Sequence, residues 1–188
     1  MKIIGNLVGG KTGKSMMRAL NRRGTRGDKT PTVAQKIPAP EEPAVCDRCG
    51  AVYTRKTWRQ NHRITADFLK TVNWSVCPAC KQVRSAEYYG RVVLRGLADA
   101  PAGQRTAIRA RIENVAARAG YTQPERRLVS ISAGGGDVEV LTTSQKLAHR
   151  IAHEIVKAFG GHATYAWSDG DGSLFATWRP RPVAHTRA

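Results

Sequence analysis

Four cysteines stand in two Cys-x-x-Cys pairs, Cys46-Asp-Arg-Cys49 and Cys77-Pro-Ala-Cys80, and the chain has no others. A two-residue spacer lets one tight turn aim two sulfurs at one point. Two such turns close a tetrahedral shell of thiolates, the ligand set of a structural zinc. A catalytic zinc keeps one position open for water, and four thiolates leave none. The alternatives are two disulfides or redox dithiols. Disulfides require an oxidising compartment. The N-terminal MKIIGNLVGG, followed by Lys11 and Lys14, shows no convincing signal-peptide cleavage region, so the expected location is cytoplasmic. A thioredoxin-like site uses one such pair on a strand-to-helix turn. The interval between the pairs exceeds the roughly fifteen to twenty residues of the commonest zinc pattern, which predicts extra hairpin or helical structure inside it.

Charge is the second constraint. Lys and Arg number 31 against 14 Asp and Glu, a net charge of +17 in 188 residues. Such an excess repels itself and calls for an anionic partner. No stretch approaches the roughly 18 apolar residues of a membrane span, so no membrane is expected and nucleic acid is the partner to consider. The excess is carried by residues 1–130, whereas residues 131–188 are close to balanced. The plainer reading of a basic surface is solubility.

The chain divides into a basic tail (1–45), a zinc-ribbon module (46–90) and a small α+β domain (91–183). The tail is rich in Arg, Gly, Thr and Pro, a composition too poor in large apolar residues to offset its ordering entropy. It is expected to be disordered until bound, with Lys11, Lys14, Arg18, Arg22, Arg23 and Arg26 tracking a phosphate backbone. Its Gly5-Asn-Leu-Val-Gly-Gly10-Lys11-Thr12 matches the phosphate-loop string of nucleotide hydrolases. That loop needs a preceding buried strand and a long following helix, and the tail offers neither.

From residue 88 the periodicities sharpen. YYGRVVLRG reads as a strand. Asp99 can cap a helix from Pro101 to Ala119 that places Ile108, Ile112, Val115 and Ala119 on one face, with Gly120 as its stop. RLVSISA and DVEVLTT flank a Gly-rich hairpin turn. Thr143 or Ser144 can cap a second helix running to Phe159, with Leu147, Ile151, Ile155 and Phe159 inward. HATYAWS and SLFATWRP form a last hairpin. The expected fold is therefore α+β: a zinc ribbon followed by a split βαβ-type two-layer sandwich with an added strand, behind a disordered basic tail.

The CPAC pair, the YYGRVVLRG run and TTSQKLAHRIAHEIVKAFGG followed by a hairpin ending in ATWRP together resemble one family over roughly residues 46–180. It is the zinc-ribbon family of ribosomal large-subunit export adaptors, which comprises nonsense-mediated decay protein three and its short prokaryotic relatives. The resemblance implies Cys46, Cys49, Cys77 and Cys80 as zinc ligands and the large ribosomal subunit as partner. Longer members carry further cysteine pairs where this chain has one set, and nuclear export is not implied.

Other constellations carry less. His149 and His153 lie one helical turn apart beside Glu154, no third ligand is assigned, and they read as a solvated or partly packed helix face. Asp169-Gly-Asp171-Gly lacks the later acidic ligand of a calcium loop and reads as a tight turn. Tyr165 and Trp167 could stack on bases, though a core role is preferred. Arg105 and Arg109, one turn apart, could grip successive phosphates or simply face water. In TRKTWRQNHR, Arg55, Lys56, Arg59 and Arg63 surround Trp58, which either stacks on a base or covers the module's core. No convergent nucleophile, base and oxyanion set is present, so neither an enzyme nor a small-molecule substrate is expected. The sequence reading is thus a zinc-stabilised RNA-binding protein of the translation apparatus, contacting ribosomal RNA of the large subunit. A zinc-ribbon DNA-binding transcriptional regulator is the alternative.

Overall fold

A computed structural model describes residues 39–60, 64–98 and 100–181. The tail cations Lys11, Lys14, Arg18, Arg22, Arg23 and Arg26, the phosphate-loop string, Arg63 and the expected helix cap Asp99 lie outside these residues. The described residues form a mixed α+β structure with two small sheets and four helices.

The first sheet has the order β3-β2-β1-β4. Its strands are β1 (Ala44–Cys46), β2 (Val52–Thr54), β3 (Thr57–Arg59) and β4 (Asn73–Ser75). Strand β1 runs antiparallel to β2 and parallel to β4, with Cys46 opposite Ser75. Between β3 and β4 lies a short helix, α1 (Ala66–Thr71), whose Thr65 side chain accepts the Phe68 N–H. The long interval between the cysteine pairs thus holds a hairpin, a helix and a strand. After β4, the helix α2 (Pro78–Ser85) starts with Pro78 in its first turn and ends at Ala86 in the left-handed region.

The second sheet has the order β6-β7-β5-β9-β8. Its strands are β5 (Gly90–Leu94), β6 (Leu128–Gly134), β7 (Asp137–Thr142), β8 (His162–Trp167) and β9 (Leu174–Arg179). The central pair, β5 and β9, is parallel, and the other neighbours are antiparallel. Two helices, α3 (Ala102–Thr122) and α4 (Gln145–Phe159), pack on one face. The residues that share a face by helical spacing are the buried ones: Ile108, Ile112, Val115 and Ala119 on α3, and Leu147, Ile151 and Ile155 on α4. They meet Val92, Leu94, Val140, Ala176 and the fully buried Trp178, whose indole N–H donates to the Gly160 carbonyl at 2.8 Å.

Two glycines are set by close packing. A Cβ on Gly90 would overlap Ala148 and the Thr142 hydroxyl, so only glycine lets α4 approach β5 this closely. Gly120 does not stop α3, which continues to Thr122. Its missing side chain instead leaves room for the Arg126 carbonyl, 3.3 Å from where a Cβ would stand. Ser144 caps α4 as expected, accepting the Leu147 N–H at 3.2 Å.

Candidate metal centre

The two cysteine pairs meet because β1 and β4 are parallel neighbours. Cys46 ends β1, and two residues beyond the end of β4 stands Cys77, so both turns leave the same end of the sheet. The first turn is closed by the Gly50 N–H donating to the Cys46 carbonyl at 2.9 Å, with Gly50 at φ +69°. The second pair opens α2: Cys77 is the N-cap, and the Lys81 N–H reaches its carbonyl at 3.1 Å.

All four sulfurs lie within 4.8 Å of one another, and those of Cys49 and Cys77 are 3.8 Å apart. None is joined in a disulfide, which would need about 2.05 Å. Four sulfurs at about 2.3 Å from one tetrahedral ion stand about 3.8 Å from each other, so the spacing suits a metal ion such as zinc. Burial pushes the Cys46 thiol up, but the backbone N–H groups of Cys77, Arg48 and Cys49 outweigh it and hold it at about 7. The Cys77 N–H donates to the Cys46 sulfur at 3.3 Å. Burial pushes Cys77 well above the usual thiol range and Cys80 up to about 11, and neighbouring sulfur charge adds to both. Four thiolates in so small a space repel, and a divalent cation at their centre would remove that repulsion. Alongside Cys46 and Cys77, Ala51 and Ala79 complete the buried cluster that Trp58 covers.

Around this centre the β2–β3 hairpin carries four of the candidate nucleic-acid residues, Arg55, Lys56, Trp58 and Arg59. Arg55 and Lys56 form its tip, both at positive φ (50° and 60°). Their backbone N–H groups donate to the two carboxylate oxygens of Glu42 at 2.9 and 2.7 Å, which fastens the strained turn to the chain ahead of β1. The side chains of Arg55, Lys56 and Arg59 are exposed, and none has an ion pair among the described residues. Trp58 is half-buried, its ring 5.2 Å from that of Tyr53 opposite it in the hairpin.

Elsewhere the candidates are engaged with the protein itself. Arg105 donates to the Ala98 carbonyl at 3.2 Å, and Arg109 pairs with Glu113 at 3.0 Å. Glu154 pairs with Arg111 across the two long helices. His149 stacks against Tyr165, with centroids 4.9 Å apart. Tyr165 and Trp167 lie opposite Ala176 and Leu174, on the helix-covered face. They nevertheless stay 37% and 54% exposed, because β8 is the edge strand and the buried stripe of α4 serves the inner strands. The preference for a core role is corrected for this pair. Asp171 accepts the Ser173 N–H at 3.0 Å, closing the turn between β8 and β9.

One cluster was not legible in the sequence. Arg48, Arg84 and the adjacent Arg126 and Arg127 come from three separate segments and line one cleft beside Cys80. Among the described residues no helix is long and apolar enough to cross a membrane. No family model, curated protein or solved structure matches the chain.

Proposed function

We propose that this chain is a zinc-stabilised, non-enzymatic RNA-binding protein that docks on the ribosome by contacting ribosomal RNA of the large subunit. In this reading Cys46, Cys49, Cys77 and Cys80 hold one zinc ion in a zinc-ribbon module, the second sheet and its helices form a split βαβ-type sandwich, and the protein is cytoplasmic. The resemblance of residues 46–180 to the large-subunit export adaptors is part of the same proposal and supplies its ribosomal target.

The observation that carries it is the hairpin beside the cysteine cluster. Arg55, Lys56 and Arg59 present three cations without ion-pair partners among the described residues, the first two on a turn fixed by Glu42 and the third at the end of β3. Surface cations of stable proteins are commonly balanced by nearby carboxylates, as Arg109 is here by Glu113. With Glu42 the one carboxylate held at the tip, the three cations leave a local excess of positive charge, which suits a phosphate backbone. A metal ion held by the four close cysteines would supply rigidity, since small metal modules draw much of their folding energy from the ion.

The test is co-sedimentation of the native protein with ribosomal subunits through a high-salt wash, followed by crosslinking to identify the rRNA contacted. Retention on the large subunit, abolished by combined substitution of Arg55, Lys56 and Arg59 by Gln, is expected. Absence from ribosomal fractions together with sequence-specific duplex binding would instead favour the DNA-binding regulator.

A further inference from the structure

The cleft that gathers the four arginines has a volume of about 670 Å³, within the range of small-ligand sites. It runs between the cysteine module and the C-terminal turns of α3. One wall is built on the cysteines. Arg48 sits inside the first Cys-x-x-Cys turn, and Arg84 rides α2, the helix that Cys77 caps. The other wall carries Tyr121, 58% exposed, and the connection from α3 to β6 with Arg126 and Arg127. That connection is held in place: Arg127 donates through Nε to the Pro124 carbonyl at 2.8 Å and through its backbone N–H to the Thr143 hydroxyl at 2.9 Å.

The electrostatics of the cleft are one-sided. Among the described residues its only acidic lining side chain, Glu113, is already paired with Arg109. Arg126, whose side chain is largely covered, has a contact of 3.9 Å to the exposed Glu125, at the outer limit of an ion pair. Neither the Arg48 nor the Arg84 guanidinium has a partner among the described residues. Cations therefore share a concave space with an exposed aromatic ring and the apolar Val83. An aromatic face amid guanidinium groups fits a nucleotide whose base is free to stack and whose phosphates meet the arginines. A duplex keeps its bases stacked inside and would leave the ring without use.

We propose that this cleft binds a single-stranded segment of RNA, with one base stacked on Tyr121 and the flanking phosphates held by Arg48, Arg84 and Arg126. The proposal rests on the reading of the chain as an RNA-binding protein and adds a second contact surface to the hairpin.

The full-length protein would be titrated with a fluorescent oligouridylate of roughly ten nucleotides over a series of salt concentrations. Arg84→Gln should weaken binding and lower the log–log salt slope by up to about 0.7. Tyr121→Ala should weaken binding roughly 5- to 150-fold with the slope unchanged, and Tyr121→Phe should restore it. Both side chains are exposed, and metal content and thermal midpoint are read on each variant to confirm that it is folded. If the wild type binds the oligonucleotide but both substitutions leave affinity and slope untouched, the cleft is not the site while the RNA-binding reading stands. If the wild type binds no RNA at low salt, both fail. If uridine monophosphate displaces the oligonucleotide with equal affinity, the occupant is a free nucleotide and the strand assignment is overturned.

Discussion

The sulfurs of Cys49 and Cys77 stand 3.8 Å apart although the residues are 28 positions apart in sequence. That separation matches the edge of a tetrahedron about 2.3 Å in radius and is far longer than a disulfide. The protein purified under reducing conditions should therefore carry one zinc per chain by elemental analysis. Cys77→Ser leaves three thiolates and should reduce the stoichiometry well below one. Hydrogen exchange should then rise across residues 39–60 and 64–86 while the buried stripes of α3 and α4 stay protected. Because the ligands must be deprotonated, protons compete with the metal, and affinity should fall as pH is lowered. Metal-free protein, or a Cys77→Ser chain with full zinc content, would remove the site.

Trp58 lies against the cysteine cluster and against Tyr53. Truncating a half-buried indole removes apolar contact and an aromatic pair, so Trp58→Ala should destabilise the module by about 1–3 kcal/mol and weaken zinc retention. Thermal unfolding followed alongside zinc release measures both. A variant with unchanged stability and zinc retention but weaker RNA binding would make Trp58 a stacking residue.

What the sequence made legible was local, and what it hid was not. The spacing within each Cys-x-x-Cys pair predicts the ligand set, and the period of Leu147, Ile151 and Ile155 predicts the buried face of α4. Both patterns are complete within one turn or one helix. The parallel pairing of β1 with β4, which brings the two turns together, depends on strands separated by a hairpin and a helix. The insertion of β9 between β5 and β8 is likewise a long-range choice. Gly120 reads as a stop in the sequence because a helical glycine can serve either a terminus or a close approach, and only the packed Arg126 carbonyl distinguishes them. Tyr165 and Trp167 alternate like core residues, but their place on the edge strand leaves them in solvent. Arg48, Arg84, Arg126 and Arg127 carry no motif. Only the docking of α3 beside the cysteine module places them together.

The two glycines Gly90 and Gly103 give opposite expectations for one kind of substitution. At Gly90 an added Cβ collides with Ala148 and Thr142, so Gly90→Ala should cost about 1–3 kcal/mol through displacement of α4 from the sheet. At Gly103, inside the first turn of α3, a Cβ meets nothing within 4 Å, and Gly103→Ala should stabilise by about 0.5–1 kcal/mol through helix propensity. Urea unfolding of the two variants checks the pair. Equal effects would show that α4 does not press on β5 as described.

The N-terminal segment tests how much of the binding is unspecific charge. Deleting residues 1–36 removes 9 basic side chains and 1 acidic one, a loss of 8 positive charges from a total of +17. If these cations neutralise phosphates, RNA affinity should fall steeply and the salt dependence should flatten, because every phosphate of a single strand that is no longer neutralised lowers the log–log slope by about 0.7. The described sheets and helices all lie beyond residue 38, so the truncated protein should keep the hydrogen-exchange protection of these elements and its zinc. The cleft and hairpin would remain, and so should the sensitivity of the residual binding to Tyr121→Ala. Unchanged affinity and slope would show that the segment makes no contribution to RNA binding. Disappearance of the Tyr121 effect along with the tail would show that the cleft binds only with the segment's help.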